Sequence, residues 1–424
     1  MKYSQLLEKI KQKKATIGVI GLGYVGLPLA ILFAKKGFRV TGFLRDEAKA
    51  SALARGENYL TDLGIADDLK KTIKEKSLRV VTMDTSVARK QDILIICVPT
   101  PVTHQKKPDI RAIRSIAAFL GGIELDGKLV INESTVAPGM TREVFGSLRG
   151  EYYLVCSPER VDPGNKEKPV SSIPKIVGGI DDNSQLLAKA LYESVLDNPV
   201  VGVNSLETAE MVKMLENTYR AVNIALVNEF AKLCEASGID VVEVINAAKT
   251  KWSFQPHYPG IGVGGHCIPV DPYYLVEYAK KKHVDLPLVS TGLRENEEMV
   301  DHVLAKVLSV YQKGLRVFVY GLAYKKNVKD IRESPAVIFC QLLKKRSIPF
   351  SVYDPFLSKK EIHDLGFESG TVSTVDILVV GTDHNQLAAD AKKLIGKHTA
   401  VIDGRNFFDK KVGKGVLGVG RSFV

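Results

Sequence analysis

The segment Gly262-Val263-Gly264-Gly265-His266-Cys267-Ile268-Pro269-Val270-Asp271-Pro272-Tyr273 sets one thiol in a glycine-dense loop, four residues before a carboxylate. A thiolate is a strong nucleophile, and glycines let a backbone turn sharply and pass close to a ligand, so the pattern suits covalent chemistry at an electrophilic carbon. The other four cysteines sit differently. Cys97 and Cys156 end apolar strand-like runs, and Cys234 and Cys340 fall in helix-like apolar patterns, which marks all four as packed core thiols. His266 beside Cys267 lacks the second ligand pair a metal centre needs, so no metal is expected. Lys213 and Asn217 lie four residues apart in an apolar-periodic stretch, Ser205 to Ala236, that contains no proline or glycine. On a helix this spacing puts an ammonium and an amide on one face, where both can reach one ligand; a solvated polar stripe is the alternative.

These groups need a frame to hold them. Residues 15–20 form an apolar strand that runs into Gly21-Leu22-Gly23-Tyr24-Val25-Gly26, followed by a periodic helix from about Leu27 to Lys36 and a second strand at 38–43. In such a βαβ unit Gly21, Gly23 and Gly26 permit a tight turn and close packing, and the helix N-terminus flanked by Tyr24 and Val25 offers N–H groups to a dinucleotide pyrophosphate. Strands at 79–82, 92–98, 128–132 and 152–156 continue the alternation and predict a parallel, doubly wound sheet. Val98-Pro99-Thr100-Pro101 and Glu133-Ser134-Thr135-Val136 fall at the carboxyl ends of two of these strands, where open α/β sheets bind ligands.

A second α/β pattern starts at Arg316–Ala323 and continues with a helix near 335–345 and strands at 350–353, 376–380 and 400–402. It lacks the glycine fingerprint, so it is expected to hold something other than a dinucleotide, with Lys325 and Arg405 supplying cations at strand ends for phosphate or carboxylate. The expected fold class is therefore α/β, with an N-terminal Rossmann domain at 1–204, a central helical domain carrying the cysteine loop at 205–312, and a C-terminal Rossmann-like domain at 313–424. The central helix is too long for one small domain to cover. It carries Val212, Ile224 and Val227 outside a single narrow stripe, which predicts a homodimer through that helix.

Composition narrows the class further. The net charge of +11 comes from 59 basic and 48 acidic residues spread along 424 positions, with no basic block or aromatic-basic interleaving, so nucleic acid is not an expected partner and an anionic small substrate is. No stretch is apolar over the roughly 18 residues a membrane helix requires, and the first ten residues are too charged for a signal peptide. Five scattered cysteines without a C-x-x-C pair suit free thiols in a reducing compartment, and a cytoplasmic location is expected.

Taken in order, Gly21-x-Gly-Tyr-Val-Gly26, Val98-Pro-Thr-Pro101, Glu133-Ser-Thr-Val136, Ser157-Pro-Glu-Arg160, Ala209-Glu-Met-Val-Lys213, Gly264-Gly-His-Cys267 and Gly321-Leu-Ala-Tyr-Lys325 resemble the UDP-glucose/GDP-mannose dehydrogenase family nearly end to end. The resemblance implies an NAD-binding domain, a helical dimerisation region and a nucleotide-sugar domain. It implies a four-electron oxidation of a sugar C6 hydroxyl to a carboxylate, with Cys267 as the nucleophile that forms a thiohemiacetal and then a thioester. By motif position Lys213 would stabilise an alkoxide, Asn217 would help position it, Asp271 would act as base or orient water, Glu159 would handle protons in thioester hydrolysis, and Thr135 would hold a water or hydroxyl. Thr100, Pro101 and Thr135 would line the cofactor, with Arg332 near it across the subunits. Glu159, Arg160, Lys213, Asn217, Gly264, Gly265, Lys325 and Arg405 would face the nucleotide sugar.

Two departures matter. Pro269-Val270-Asp271-Pro272 after the cysteine, His266 before it, Ser157-Pro-Glu-Arg-Val161 and Thr250-Lys-Trp252 resemble the branch acting on UDP-N-acetylglucosamine or UDP-N-acetylmannosamine more than that acting on UDP-glucose, which stands as the alternative. A two-electron dehydrogenase of the hydroxyacid type is a remoter one, since it needs no thiol. At the end of the second strand the chain reads Gly42-Phe43-Leu44-Arg45-Asp46, with leucine where the family carries the acid that accepts the ribose 2′-hydroxyl. Losing that acid and gaining Arg45 is the change expected for a 2′-phosphate, so NADP is expected beside NAD.

Overall fold

The computed structural model describes residues 2–60, 64–160 and 170–423; Val161, the last residue of the Ser157–Val161 motif, lies outside them. The chain divides into two compact units, residues 1–216 with 273–281 and residues 217–272 with 282–424.

Among the described residues the first unit is built on eight strands: β1 Thr16–Ile20, β2 Arg39–Leu44, β3 Leu78–Thr82, β4 Ile93–Ile96, β5 Leu129–Asn132, β6 Tyr153–Cys156, β7 Lys175–Gly179 and β8 Val200–Val203. Their order is β3-β2-β1-β4-β5-β6-β7-β8. Every residue of β4 and β5 is buried, which explains why their sequences are continuous apolar runs rather than alternations: helices cover both faces of the sheet. The helices Gly26–Lys35 and Asp182–Glu193 supply Leu27, Phe33, Leu187 and Tyr192 to the core beneath Ile17, Val19, Ile95 and Ile131.

The expectation of a wholly parallel sheet needs one correction. β6 and β7 pair antiparallel, with Val155 opposite Gly179 and Cys156 opposite Gly178. β7 and β8 escape a reading by pattern because Lys-Ile-Val-Gly-Gly opens on a charge and closes on two glycines, both poor strand signals. The reversal relocates a charge. β7 starts at the end of the sheet where β4, β5 and β6 finish, so Lys175 arrives beside the ligand-binding edge.

In the second unit six strands, β9 Val317–Tyr320, β10 Phe350–Tyr353, β11 Ile377–Val380, β12 Ala400–Asp403, β13 Gly415–Gly418 and β14 Ser422–Phe423, run in the order β10-β9-β11-β12-β13-β14, all parallel except β14 against β13. Val317, Val319, Val352, Val379 and Ile402 pack on helices Pro335–Lys345 and Pro287–Val310 through Phe339, Leu343, Val303 and Val307.

The predicted long helix spans Leu206–Ser237, 32 residues and so about 48 Å. Its apolar exposure differs from the expectation. Val227 is buried, Val212 and Ile224 are half-buried, and the exposed stripe is instead Met211, Leu215, Tyr219, Leu226, Phe230 and Leu233. Among the described residues no helix is long and apolar enough to cross a membrane.

Candidate active site

At the first βα turn the glycines divide their work. Gly21 has φ +93°, and a Cβ there would lie 2.6 Å from the Cys97 carbonyl oxygen; a Cβ on Gly26 would lie 1.9 Å from the Gly21 carbonyl oxygen. Both are fixed by close packing within the turn. A Cβ on Gly23 would meet nothing within 4 Å, so its bareness answers to a space rather than to the protein. No side chain caps the helix that starts at Gly26; Leu27 N–H donates to the Gly23 carbonyl and Pro28 has no N–H, so the first turn offers the Gly26 N–H and the positive end of the helix to an anion. Tyr24 and Val25 pack partly against the core below. The turn fits a pyrophosphate.

At the end of β2, Arg45 is exposed and donates from Nη2 to Ser115 Oγ at 2.7 Å, while Asp46 Oδ1 accepts from the Lys49 backbone and caps the next helix. Beyond β4 and β5, Thr100 Oγ1 donates to the Thr135 carbonyl at 2.7 Å, and the Pro101 carbonyl accepts from Tyr274. Thr100, Pro101 and Thr135 are thus brought together.

Next to them lies a buried charged cluster. Lys175 Nζ is 2.5 Å from Glu133 Oε2 and 3.1 Å from Glu159 Oε2, and it stands 5.2 Å from the centre of the Tyr192 ring. The Tyr192 hydroxyl donates to the other Glu133 oxygen, and Glu159 Oε1 accepts from the Arg160 backbone N–H at 2.6 Å. Burial pushes the Glu133 carboxyl up to about 7, the attraction of Lys175 only partly opposing it. Burial acts the same way on Glu159, but there Lys175 and the hydrogen bond from Glu133 win, and the carboxyl is held down at about 2. Lys175 itself is raised by its two carboxylates despite burial. The Arg160 guanidinium turns aside to Glu216 at 2.6 Å. Lys175 and Tyr192 were not legible as functional residues, because nothing in their local sequence marks them.

Lys213 and Asn217 sit one turn apart on the long helix, and both are buried, at 7% and 1% exposure, so a solvated stripe is excluded. In the second unit Asn217 is held at both ends of its amide: Nδ2 donates to Asp271 Oδ2 at 2.5 Å and Oδ1 accepts from Arg220 at 3.0 Å. The Asp271 N–H in turn donates to the Cys267 carbonyl at 2.8 Å. Cys267, Asp271 and Asn217 therefore form one connected group. Cys267 is half-buried whereas Cys97, Cys156, Cys234 and Cys340 are buried.

The glycines of the thiol loop serve packing as well as access. A Cβ on Gly264 would come within 2.6 Å of Tyr324 Cβ and 2.8 Å of the Glu333 carbonyl oxygen, and one on Gly265 within 2.8 Å of the Tyr324 ring. Gly265 N–H also donates to the Arg332 carbonyl, while the Arg332 guanidinium forks onto Asp330 through bonds of 2.9 and 2.5 Å. Burial and the Arg332 charge keep the His266 imidazole below its usual range. Arg405 Nε donates to Asp383 at 3.1 Å beside Gly260. Lys325 is half-buried on a loop that Asp354 and the fully buried His384 hold. Asp354 accepts from the Leu322 and Ala323 N–H groups and from His384 Nε2, and His384 Nδ1 accepts from Asn327 N–H, so the imidazole is neutral with its proton on Nε2. His384 was missed because it is an isolated histidine in sequence.

Three family models cover the chain: the NAD binding domain of the UDP-glucose/GDP-mannose dehydrogenase family at residues 15–196, the central domain of that family at 207–298 and its UDP binding domain at 318–410. A UDP-N-acetyl-D-mannosamine dehydrogenase of Methanococcus vannielii is 35% identical over 95% of this chain and 96% of its own length. A UDP-N-acetyl-D-glucosamine 6-dehydrogenase of Pseudomonas aeruginosa is 33% identical over 92% of this chain and 96% of its own. The solved structure of a UDP-D-ManNAc dehydrogenase from Pyrococcus horikoshii superposes with a TM-score of 0.86 at 33% identity, covering 96% of this chain and 99% of that one.

Proposed function

This chain belongs to the UDP-glucose/GDP-mannose dehydrogenase family of NAD-dependent oxidoreductases, and we propose that it oxidises the C6 hydroxyl of a UDP-N-acetylhexosamine, UDP-N-acetylmannosamine or UDP-N-acetylglucosamine, to the carboxylate. The observation that carries the reading is the connected Cys267–Asp271–Asn217 group, in which the one cysteine outside the core stands beside a fixed carboxylate and amide.

Each residue has a distinct task. Gly21, Gly23 and Gly26 at the uncapped helix would hold the dinucleotide pyrophosphate, and Thr100, Pro101 and Thr135 the region towards its reactive end. When bound, the nicotinamide accepts a hydride from carbon, twice in succession with two cofactor molecules. The Lys213 ammonium stabilises the alkoxide that develops at C6. The Cys267 thiolate adds to the resulting aldehyde and supplies the tetrahedral carbon from which a second hydride can leave. Asn217 and Asp271 orient that centre and its water. In hydrolysis the water oxygen bonds to the acyl carbon, the carbon–sulfur bond breaks with its electron pair on Cys267, and a water proton leaves through Glu159. Lys325 and Arg405 bind the UDP phosphates, and Gly264 and Gly265 admit the sugar. Arg332 serves the cofactor side of a neighbouring subunit. The exposed stripe from Met211 to Leu233, about 33 Å long, supports a homodimer through the long helix.

Incubation with a panel of UDP-sugars tests the reading. Two reduced cofactors should form per UDP-N-acetylhexosamine consumed, and Cys267→Ser should lose turnover by about 1000-fold or more while still binding the nucleotide sugar. One reduced cofactor per sugar, or a serine variant that turns over like the parent, would overturn it.

A further inference from the structure

The Glu133–Lys175–Glu159 cluster is more than the family roles require. Only Glu159 has a task, yet it is tied to two further ionisable side chains that the fold buries completely around it. Lys175 comes from β7, Glu133 from the end of β5, and Tyr192 from the helix Asp182–Glu193, so three separate elements build the cluster beside Glu159. The antiparallel register is what delivers the lysine: continuing the Val155–Gly179 and Cys156–Gly178 pairs places Lys175 across from Glu159.

We propose that Lys175 is a positioning residue of the dehydrogenase reaction, tying the Glu159 carboxylate to Glu133 at the edge of the sheet and so fixing where Glu159 takes up and returns a proton. The inference rests on the thioester reading of the reaction. The contacts divide the labour. The ammonium holds Glu159 Oε2 at 3.1 Å and the Arg160 N–H holds Oε1 at 2.6 Å, so the carboxylate is gripped at both oxygens and its orientation is fixed. Two carboxylates and one ammonium in a buried site leave a net negative charge, which is costly; a proton on Glu133, which also bonds Tyr192 and Glu159, removes it. Among the described residues the Cys97 and Cys156 thiols feel the charges of Glu133 and Lys175; burial raises both, so neither is a second anion near neutral pH. Without the ammonium, two carboxyls this close share one proton, and Glu159 then holds the proton it should be free to accept.

The test compares Lys175→Met, Lys175→Arg and Glu133→Gln with the parent, measuring kcat, KM for the UDP-sugar and the pH dependence of kcat. Lys175→Met should lose kcat by about 100-fold with KM within about threefold, and its kcat should rise at a pH at least one unit higher than in the parent. Lys175→Arg, which restores a cation, should return kcat to within about tenfold. A purely structural lysine would lower the active fraction without moving the pH profile, so a methionine variant with an unmoved profile, or with kcat within threefold of the parent, overturns the proposal. Should the methionine variant fail to fold, Glu133→Gln decides: with position 133 neutral at every pH, no second carboxylate ionises beside Lys175, so the ratio of parent to variant kcat should rise more than about threefold from pH 6 to pH 8, and a constant ratio overturns the proposal. Cys267→Ser assayed alongside separates the two readings. Full turnover in the serine variant removes the thioester mechanism, whereas a Cys267-dependent enzyme indifferent to Lys175→Met removes only the role of Lys175.

Discussion

Glu133→Gln should remove the pH dependence that Glu133 gives to the stability of the first unit between pH 5 and pH 8. In the folded protein Glu133 ionises near 7, pushed up by burial, against an ordinary value of 4.5. Its folded-state affinity for a proton is raised, so its contribution is complete below pH 4.5 and lost as pH rises towards 7. A gap of that size corresponds to roughly 2 to 3 kcal/mol between pH 5 and pH 8. Glu159 has the opposite sign: held near 2, it contributes above 4.5 and loses that only as pH falls through 2, so across pH 5 to 8 it is constant. Glu210 also ionises near 7 but is present in both proteins and cancels in the difference. Glutamine keeps one oxygen for Lys175 and turns its amide to the Tyr192 hydroxyl, which can accept, so position 133 is neutral as in the protonated acid. Parent and variant should therefore be nearly equal at pH 5, with the variant melting about 5 to 10 °C higher at pH 8. The assay is calorimetry, because the one tryptophan, Trp252, lies in the other unit and its emission would not report this one. A melting difference that stays constant from pH 5 to 8 would refute the assignment of the proton to Glu133.

Three further outcomes are expected. Because Leu44 and Arg45 stand at the end of β2 where a ribose-binding acid is usual, the enzyme should reduce NADP measurably, and Leu44→Asp should raise NAD affinity; no NADP reduction together with an unchanged NAD affinity would sink this. The protein should scatter light as a dimer at micromolar concentration, and Leu226→Lys with Leu233→Lys should shift it towards 46.5 kDa, whereas a monomeric parent would refute the interface. Gly23→Ala should leave the melting temperature unchanged but weaken NAD binding by about tenfold or more, while Gly264→Ala, driven against Tyr324, should cost about 1 to 3 kcal/mol of stability; the same calorimetric shift for both would contradict their different surroundings.

Most of the frame was legible because it depends on local pattern. Strands β1 to β6 and β10 to β12, the helix after Gly26 and the helix Leu206–Ser237 all lie within a residue or two of where periodicity and glycine punctuation put them, and β9 falls inside the Arg316–Ala323 pattern. The singular cysteine was legible for the same reason: Cys267 sits in a glycine-dense loop and alone is not buried, whereas the four others follow or lie in apolar runs that the structure buries. What failed was any property set by which strand lies beside which. Val212, Ile224 and Val227 seemed to need a partner, but how a helix is rolled against its neighbours decides which apolar face stays bare, and the bare face is Leu215, Leu226, Phe230 and Leu233.

The sequence by itself determined the class, an NAD-dependent nucleotide-sugar dehydrogenase, since its glycine turn and ordered motifs carry their meaning locally. Only the tertiary structure decided the electrostatics. Glu133, Glu159, Lys175 and Tyr192 are up to 59 positions apart, and one reversed strand, β7, brings the lysine to the two acids. Proton affinities follow from distance and burial, neither of which is a property of any single residue, and so the same residue type, glutamate, ionises near 7 at position 133 and near 2 at position 159.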